Sequence, residues 1–446
     1  MTEVTVGIDI GTSSVKAIAA DGDGEVVART RIPHAWAAPT PGRFEHDATV
    51  AWRDGPAEAW RAMSDFDVRG VCVSAMVPSV AAVDDAGRAL TSGLLYGDER
   101  GRDESGAVEL SGMVRWAASQ APTAHGLWPA QALAAATLGG EAVIDTTVAA
   151  GAMDLCDLAN WNDEAVTAIG ARVEQLPRIV GTGQAAGTVT GANAVLASEC
   201  IDAFAEQLVA GAADVGDVHV LLGTTVIVWV VLEPPAEVPG VFTIPHSATG
   251  RLLAGGPSDA GGLFVSWATG MLEAGARDVL PDDPGRVPVW LPYPRGERVG
   301  MHAIERRAEL ADLDLTHDAR SVARAAYEGT GFAVRRVIDA AHAATGNEAR
   351  RVVMTGGGTL VDPWVQAVAD ATALPVDCAL VPEGAALGAA WLARIAAGLE
   401  EPTAMSEGRW ARTGRVVEPD PRWVGPVRDR YERFVALAGR PDPAAA

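Results

Sequence analysis

The sequence predicts an α/β protein made of two similar domains, and three observations support this prediction. Apolar strands alternate with helical patterns along most of the chain. The 446 residues, of which 48% are hydrophobic, are enough for two domains or more. A Gly-Thr corner between two apolar runs occurs twice, at Gly11-Thr12 and at Gly223-Thr224, and the offset of 212 residues is close to half of the chain.

The first domain is predicted to begin with three strands joined by tight turns, at Val4 to Ile10, Val15 to Ala20 and Glu25 to Ile32. Helical patterns follow in "TVAWRDGPAEAWRAMS" and "LWPAQALAAATLG", with an apolar strand "VRGVCVSAMV" between them. The second half has long helical runs around the buried strand "ARRVVMTGGG". We place the boundary near Gly216-Asp217, which gives domains 1–217 and 218–446.

Composition excludes several classes of partner and location. A net charge of −23 disfavours binding to nucleic acid or to an anionic membrane, because an acidic surface repels polyanions. The four cysteines show no metal-ligand spacing and are predicted to be buried free thiols. Neither a membrane span nor a signal peptide is visible, so a cytoplasmic location is expected.

The two corners have the chemistry of an anion site. A Gly-Thr/Ser turn between strands directs successive backbone N–H groups and hydroxyls outward, and two such turns could hold a polyphosphate. Taken alone, each is more often a simple turn; their order and spacing strengthen the interpretation. A third glycine cluster follows an apolar strand and precedes a helix, so a base or a phosphate could approach its backbone. The predicted nucleotide-binding residues are Gly11, Thr12, Ser13, Gly223, Thr224, Thr225, Gly356, Gly357 and Gly358.

Asp9 ends the first strand just before the first corner, whereas Leu221 stands at the equivalent place before the second. A carboxylate beside a phosphate corner is suited to hold Mg²⁺, directly or through water. Alternatively, Asp9 accepts hydrogen bonds from the corner itself. Lys16 on the next strand is interpreted as a solvated lysine rather than a phosphate ligand.

These motifs resemble those of the FGGY carbohydrate kinases. "GIDIGTSSVKA" and "LLGTT" are similar to the family's two phosphate motifs, and "TGGGTLVDPWVQAVADATALPV" is similar to its adenosine motif. The similarity extends to "GRFEHDATVAW", "YGDERG" and "LPYPRGER" and runs nearly end to end. It implies two ribonuclease-H-like domains of the actin/hexokinase superfamily with a ligand cleft between them, and it implies ATP and Mg²⁺ as cofactors.

The resemblance also implies a catalytic base. The family's basic aspartate matches Asp202 in "SECIDAFAEQLVAGAADVGDVHVLLGTT", where it would accept a proton from the sugar hydroxyl. Asp202 is also suited to cap the helix that follows, and the two roles are compatible. The family usually has glycines before the base, but this chain has Glu199-Cys200-Ile201. Asp217 is the rival acid, at a place where the family has a strand-entry aspartate.

For the sugar, the resemblance implies Asp98 and Arg100 in "YGDERG" as hydrogen-bonding partners of hydroxyls, together with Ala75 and Met76 in "SAMVPSV". A loop ion pair is the alternative for Asp98 and Arg100. Val77-Pro78 stands where a histidine is common, and Arg307 replaces a family glycine. Both departures leave the identity of the sugar open.

The resemblance implies a sugar kinase that transfers the γ-phosphate of ATP to a hydroxyl of a small sugar, most often a ketose such as xylulose. A gluconate or polyol kinase of the same family is the first alternative. A binding protein for nucleotide or sugar without turnover is the second, and an actin-type or chaperone-type ATPase is the third. The family also implies a homodimer as a possible assembly.

Overall fold

The structure is a computed structural model that describes residues 3–63, 65–102, 109–246, 250–272, 275, 278–297, 299, 303, 306–401 and 409–439. Its strands are β1 (Glu3–Ile10), β2 (Ser14–Ala20), β3 (Val26–Pro33), β4 (Trp36–Ala37), β5 (Glu45–His46), β6 (Asp67–Ala75), β7 (Ala81–Val83), β8 (Gly93–Leu94), β9 (Gly126–Trp128), β10 (Val143–Asp145), β11 (Arg178–Val180), β12 (Ala185–Thr188), β13 (Val195–Ala197), β14 (Cys200–Ile201), β15 (Asp217–Leu222), β16 (Val226–Leu232), β17 (Phe242–Pro245), β18 (Leu252–Ser258), β19 (Val289–Leu291), β20 (Glu309–Ala311), β21 (Arg351–Thr355), β22 (Val376–Ala379) and β23 (Thr413–Val417).

The helices are α1 (Gly55–Met63), α2 (Leu110–Gln120), α3 (Ala130–Gly139), α4 (Thr146–Ala149), α5 (Asp163–Ala168), α6 (Asp202–Ala210), α7 (Gly262–Gly270), α8 (Ala319–Thr345), α9 (Asp362–Thr372), α10 (Gly384–Ala396) and α11 (Pro421–Ala438). A π-helical segment covers Thr49–Asp54, and short 3₁₀ segments cover Glu99–Gly101, Ala150–Ala152, Val173–Gln175 and Gly357–Leu360.

The chain divides into two compact units. The first unit comprises Met1–Val209 and Ala385–Trp410, and the second comprises Ala210–Gly384 and Ala411–Ala446. The boundary predicted near 217 lies close to the first of these divisions. The prediction of two continuous domains did not include the later segment 385–410, which belongs to the first unit.

Close backbone packing explains why α10 belongs to the first unit. A Cβ atom added to Gly7 of β1 would lie 1.7 Å from the carbonyl oxygen of Ala386, and one added to Gly70 of β6 would lie 2.7 Å from that of Ala393. On the helix itself, a Cβ atom at Gly388 would lie 1.8 Å from the oxygen of Ala205 in α6. Glycine at these three positions therefore allows α10 to lie directly on β1, β6 and α6.

The first unit is built on a mixed sheet with strand order β12-β13-β6-β1-β2-β3, and β14 also pairs with β6. β1 is antiparallel to β2 and parallel to β6. All of β1 after Glu3 is buried, as expected for a central strand that is covered on both faces. The β1-β2-β3 meander and its turns confirm the sequence prediction.

The second unit repeats this arrangement. Its sheet has the order β17-β18-β16-β15-β21-β22-β23, with β15 antiparallel to β16 and parallel to β21. The series β18-β16-β15-β21-β22 thus matches β3-β2-β1-β6-β13 of the first unit in order, and each central strand has one antiparallel and one parallel neighbour. The internal repeat predicted from the two corners is confirmed. The four cysteines are free and buried, as predicted.

Candidate active site

The first phosphate corner lies between β1 and β2, where three hydrogen bonds fix its backbone. The N–H of Gly11 donates to the oxygen of Ser14 at 3.1 Å, and the N–H of His34 donates to the oxygen of Ser13 at 3.1 Å. The carbonyl of Thr12 lies 2.8 Å from Nε2 of His46. Within the described part of the chain, the N–H groups of Thr12 and Ser13 have no hydrogen-bond acceptor. They are therefore free to bind an anion.

Asp9 lies at the end of β1, and its side chain is nearly buried. Its Oδ2 is 3.9 Å from Nζ of Lys16, whose side chain is 36% exposed, and Oγ of Ser74 donates a long 3.5 Å hydrogen bond to Oδ1. Burial raises the pKa of Asp9, although Lys16 and Ser74 oppose the shift. The alternative in which Asp9 accepts from the corner receives no support from Gly11, whose N–H donates to Ser14 instead.

Asp202 is the first residue of α6, and the preceding strand β14 fixes where it lies. Cys200 and Ile201 pair with Ser74 and Ala75 at the end of β6. Burial first and the negative charge of Asp9 second raise the pKa of Asp202, and a hydrogen bond from Ala203 and the charge of Lys16 act in the opposite direction; the net pKa is about 7. The fold thus brings two of the predicted residues, Asp9 and Asp202, into electrostatic contact.

Of the three residues that replace the family's glycines before Asp202, Cys200 and Ile201 form β14, and Glu199 directly precedes it. Glu199 is fully buried, and one of its carboxyl oxygens accepts the N–H of Val73 in β6. Its backbone oxygen accepts the N–H of Asp145 at 2.8 Å. Burial, reinforced by the charge of Asp145 and opposed by the hydrogen bond from Val73, raises the pKa of Glu199 well above its ordinary value. This segment therefore holds the approach to Asp202 in register with β6.

Asp98 and Arg100 form an ion pair that also includes Glu45. Nε of Arg100 donates to Oδ1 of Asp98 at 2.8 Å, and Nη2 contacts both Glu45 and Asp98. The N–H of Phe44 donates to the second carboxyl oxygen of Asp98 at 2.7 Å. Asp98 is fully buried, and the Arg100 guanidinium lies over the ring of Trp116 at 4.9 Å. The ion-pair alternative is thus the arrangement observed, although the pair is buried rather than on the surface.

Ala75 and Met76 lie buried at the end of β6, directly before Val77 and Pro78. Val77 and Pro78 line a cavity of about 400 Å³. The other lining residues are Glu109, Leu110, Ala150, Gly151, Met153 and Asp154. The "SAMVPSV" segment, predicted to contact the sugar, therefore borders a cavity of the first unit.

The second phosphate corner, Gly223 to Thr225, lies between β15 and β16. The N–H groups of Gly262 and Leu263, at the start of α7, donate to the oxygens of Gly223 and Thr224, each at 2.9 Å. Among the described residues, the N–H groups of Thr224 and Thr225 find no acceptor. The second corner thus presents a pair of free donors like those of the first.

The third glycine cluster follows β21, and its three members differ in their surroundings. Gly356 has a φ of +87°, and a Cβ atom there would lie 2.6 Å from the oxygen of Leu222. At Gly358, a Cβ atom would lie 2.6 Å from the Cβ of Leu222. Only Gly357 faces open space. Packing on β15 therefore explains two of the glycines, and Gly357 alone is open to a ligand.

Sequence reasoning missed several residues that shape the corners. His46 belongs to no pair of histidines with metal-ligand spacing in the sequence, yet its ring contacts the carbonyl of Thr12. Gly261 and Gly262 allow α7 to approach the second corner, since a Cβ atom at Gly261 would lie 2.2 Å from the carbonyl carbon of Thr225. The signal that could have found His46 is its place in the "GRFEHDATVAW" block.

Asp217, the rival acid, has a structural partner. Nε and Nη2 of Arg351 donate to its two carboxyl oxygens at 3.0 and 2.9 Å. It also belongs to the second unit, whereas Asp9 belongs to the first. This pairing occupies Asp217 and leaves Asp202 as the better candidate base.

Two further observations concern the described residues as a whole. None of their helices combines the length and apolar character needed to cross a bilayer. They also contain no cluster of three or more His, Cys, Asp or Glu side chains suited to hold a metal ion by themselves.

Comparison with known proteins identifies the family. Residues 4–135 match the FGGY family of carbohydrate kinases, N-terminal domain, and residues 219–397 match the C-terminal domain of the same family. The xylulose kinase of Klebsiella pneumoniae is 27% identical, over 98% of this chain and 99% of its own length. The xylulose kinase of Escherichia coli (strain K12) is 28% identical, over 89% of this chain and 90% of its own.

A solved structure shows the same fold. The gluconate kinase from Lactobacillus acidophilus superimposes with a TM-score of 0.79 at 20% identity, over 98% of this chain and 99% of its own. Its two-domain actin/hexokinase-like fold confirms the predicted fold class. On the matches of both its halves, the chain belongs to the FGGY family of carbohydrate kinases, ATP-dependent enzymes that phosphorylate an alcohol group.

Proposed function

We propose that the protein transfers the γ-phosphate of ATP to a hydroxyl of a small ketose such as xylulose, with Asp202 as the general base. One observation carries the proposal: Asp202 and Asp9 interact electrostatically in the first unit, and burial together with the charge of Asp9 raises the pKa of Asp202 to about 7. A general base works best when its pKa is close to the working pH. Asp202 meets this requirement.

The proposed step is a direct phosphoryl transfer. The sugar hydroxyl gives its proton to the carboxylate of Asp202 while its oxygen forms a bond to the γ-phosphorus. The bond between that phosphorus and the bridging oxygen breaks, and ADP leaves with the electron pair. The chain itself supplies proton acceptance, orientation and hydrogen bonds to the phosphate oxygens.

The free backbone donors of both corners are the proposed phosphate ligands. These are the N–H groups of Thr12 and Ser13 in the first unit and of Thr224 and Thr225 in the second. Rigid donors need no reorganisation when negative charge moves during transfer, which makes them effective. Of the third cluster, only Gly357 has the open space that an adenosine group would need.

The residues present also fit a Mg²⁺ ion. The carboxylate of Asp9 repels a negative charge on Asp202 and so raises the pKa of Asp202. A divalent cation relieves such repulsion, and Asp9 would hold it directly or through water. When bound, Mg²⁺ neutralises charge on the transferred phosphate.

For the sugar, we propose that Ala75 and Met76 lie beside the bound ketose and that Asp98 and Arg100 hold the neighbouring loop. The side chains of Asp98 and Arg100 are engaged with each other, with Glu45 and with the backbone of Phe44. The names of the two xylulose kinase relatives support a ketose as substrate. We place the reaction in the cytoplasm, and light scattering on the purified protein tests the homodimer that the family implies.

A substrate panel tests the proposal. ADP release with Mg-ATP is measured against xylulose, ribulose, gluconate and glycerol. We expect turnover of about 1–100 s⁻¹ with the ketose, and kcat/KM at least about tenfold higher for the ketose than for the other classes. A preference for gluconate or glycerol would overturn the assigned substrate but leave the assigned reaction, phosphoryl transfer from ATP to a hydroxyl, unchanged. ATP binding without acceptor-dependent ADP release would overturn the kinase proposal in favour of a binding protein.

The raised pKa of Asp202 predicts a pH profile. Because the base must be ionised to accept a proton, kcat/KM should rise with pH up to about 7 and then level off. Below that point the expected fall is about tenfold per pH unit. The profile is measured with direct detection of the phosphorylated product, so that coupling enzymes do not contribute. A flat profile between about pH 5.5 and 8 would contradict the assignment of the base.

A further inference from the structure

We propose that His46 is a positioning residue for phosphoryl transfer: it holds the carbonyl of Thr12 and thereby directs the N–H of Ser13 toward the bound phosphate. This inference rests on the proposed role of the first corner. His46 lies in β5 and its side chain is 2% exposed, so its two ring contacts are made inside the protein. Neither contact is needed to form a strand, since both use the imidazole ring.

The partner on the other side of the ring fixes the position of the imidazole proton. Nε1 of Trp52 lies 2.9 Å from Nδ1 of His46. An indole nitrogen can only donate, so Nδ1 must accept, and in the neutral ring the proton is then on Nε2. Nε2 therefore donates to the oxygen of Thr12 at 2.8 Å. Burial lowers the pKa of His46 to about 4, which keeps the ring neutral at pH 7.

Holding one carbonyl fixes the donor that follows it. In a trans peptide the C=O of one residue and the N–H of the next point in opposite directions. The Thr12 carbonyl faces His46, so the N–H of Ser13 faces away from it. The carbonyl of Ser13 is held in turn by the N–H of His34. Two consecutive peptide planes of the corner are thus fixed, and the N–H of Ser13 remains free among the described residues.

The second unit provides an internal comparison. Counted from the glycine of each corner, Thr224 corresponds to Thr12, although the second turn closes with one residue fewer, Leu222 on Val226 against Ile10 on Val15. The carbonyl of Thr224 accepts the N–H of Leu263 at 2.9 Å. The donor there is a backbone group at the start of α7, whereas in the first unit it is a histidine side chain. The carbonyl of the residue that follows the corner glycine is therefore fixed in both units, by a side-chain donor in the first and by a backbone donor in the second. This is expected if the orientation of the following N–H matters for function, and it assigns to His46 the task that the start of α7 performs.

Two substitutions at His46 test the inference. His46→Leu removes both ring hydrogen bonds, whereas His46→Gln retains an N–H donor that can reach a carbonyl. We expect His46→Leu to lower kcat/KM for ATP by about 10- to 100-fold, since loss of a positioned donor has effects of this order. We expect His46→Gln to stay within about fivefold of wild type and KM for the sugar to change less than about twofold in both. In His46→Leu, the affinity for ADP, measured by calorimetry without sugar, should fall together with kcat/KM for ATP.

The matched control is His125→Gln, at an exposed histidine of the same unit that packs on Trp128. It should leave all these quantities unchanged. Should His46→Leu not fold, Trp52→Phe removes the indole donor together with part of a buried ring, and ¹⁵N shifts of the His46 ring should then change from a single Nε2–H form to a mixture. Unchanged ADP affinity and kcat/KM for ATP in the folded variant would overturn the inference. So would a loss of sugar and nucleotide affinity that His46→Gln does not relieve.

Failure of the proposed function remains distinguishable from failure of this inference. If the wild-type protein phosphorylates no acceptor, the kinase proposal falls, but ADP affinity still compares wild type with the His46 variants. If wild type is active and the variants bind ADP equally well, only the role of His46 falls. The ring-nitrogen shifts of wild type decide the tautomer in either case.

Discussion

Asp202→Asn should lower kcat for phosphoryl transfer by about 10²- to 10⁴-fold, because general-base catalysis contributes an effect of this size. Asparagine has nearly the same shape as aspartate but cannot accept the proton of the sugar hydroxyl. The loss should appear in kcat and kcat/KM together, with affinity for ATP retained. Single-turnover measurements with saturating Mg-ATP and sugar would separate the chemical step from product release.

Asp163→Asn is the matched control. Asp163 is the first residue of α5, as Asp202 is of α6, but it is exposed. Its substitution should leave kcat within about twofold, as surface changes have small effects. If Asp202→Asn kept wild-type turnover, Asp202 would not be the base. If both variants lost activity equally, the loss would not be specific to Asp202 and would not support proton transfer to its carboxylate.

The features that the sequence predicted correctly are those encoded locally. The strands around Gly11 and Gly223 follow from apolar runs and turn residues that are adjacent in the chain. Because the same local pattern occurs twice, the repeat of the two sheets also followed. Asp9, at the end of the first strand, was identified in the same way, from a charged residue where the pattern called for an apolar one.

The features that the sequence did not reveal depend on packing between distant segments. The glycine at position 7 reads as an ordinary strand residue until α10, almost 380 positions later, is found to lie on it. Gly356 and Gly358 resemble a ligand site but make room for Leu222. Asp98 resembles a sugar ligand, and its oxygens accept from Phe44 and Arg100. In each case the sequence shows the type of the residue, but only the structure shows which distant residue it contacts.

A buried network of charges in the second unit joins α8, α9 and α11. Glu328 accepts from Nε of Arg324 at 2.8 Å and from Nε and Nη2 of Arg430 at 2.7 and 2.8 Å. Nη2 of Arg324 also donates to Asp370 at 2.7 Å, and its guanidinium lies 4.3 Å from the ring of Trp423. Glu328, Arg324 and Asp370 are each about 1% exposed. Their charges are therefore compensated by one another rather than by water.

Glu328→Gln should lower the free energy of unfolding of the second unit by about 3–5 kcal/mol at pH 7, because it leaves two buried guanidinium groups without their shared carboxylate. Burial alone would raise the pKa of Glu328, but Arg430 and Arg324 outweigh it and hold the pKa below its ordinary value. A carboxyl with a lowered folded pKa stabilises the fold above its unfolded pKa, about 4.3, and loses that contribution as the pH falls through the folded value. The difference between wild type and variant should therefore shrink in that acidic range.

Glu141→Gln is the control, because Glu141 also pairs with an arginine through both carboxyl oxygens but is exposed to water. Arg178 donates to both oxygens of Glu141 at 2.7 and 2.9 Å, but the two side chains are 48% and 55% exposed. An exposed pair of this kind contributes about 0–1 kcal/mol. Urea unfolding of wild type and both variants at pH 7 gives the comparison. Equal losses for Glu328→Gln and Glu141→Gln would contradict the argument, since burial is what separates an unpaired guanidinium in the protein interior from one that water solvates.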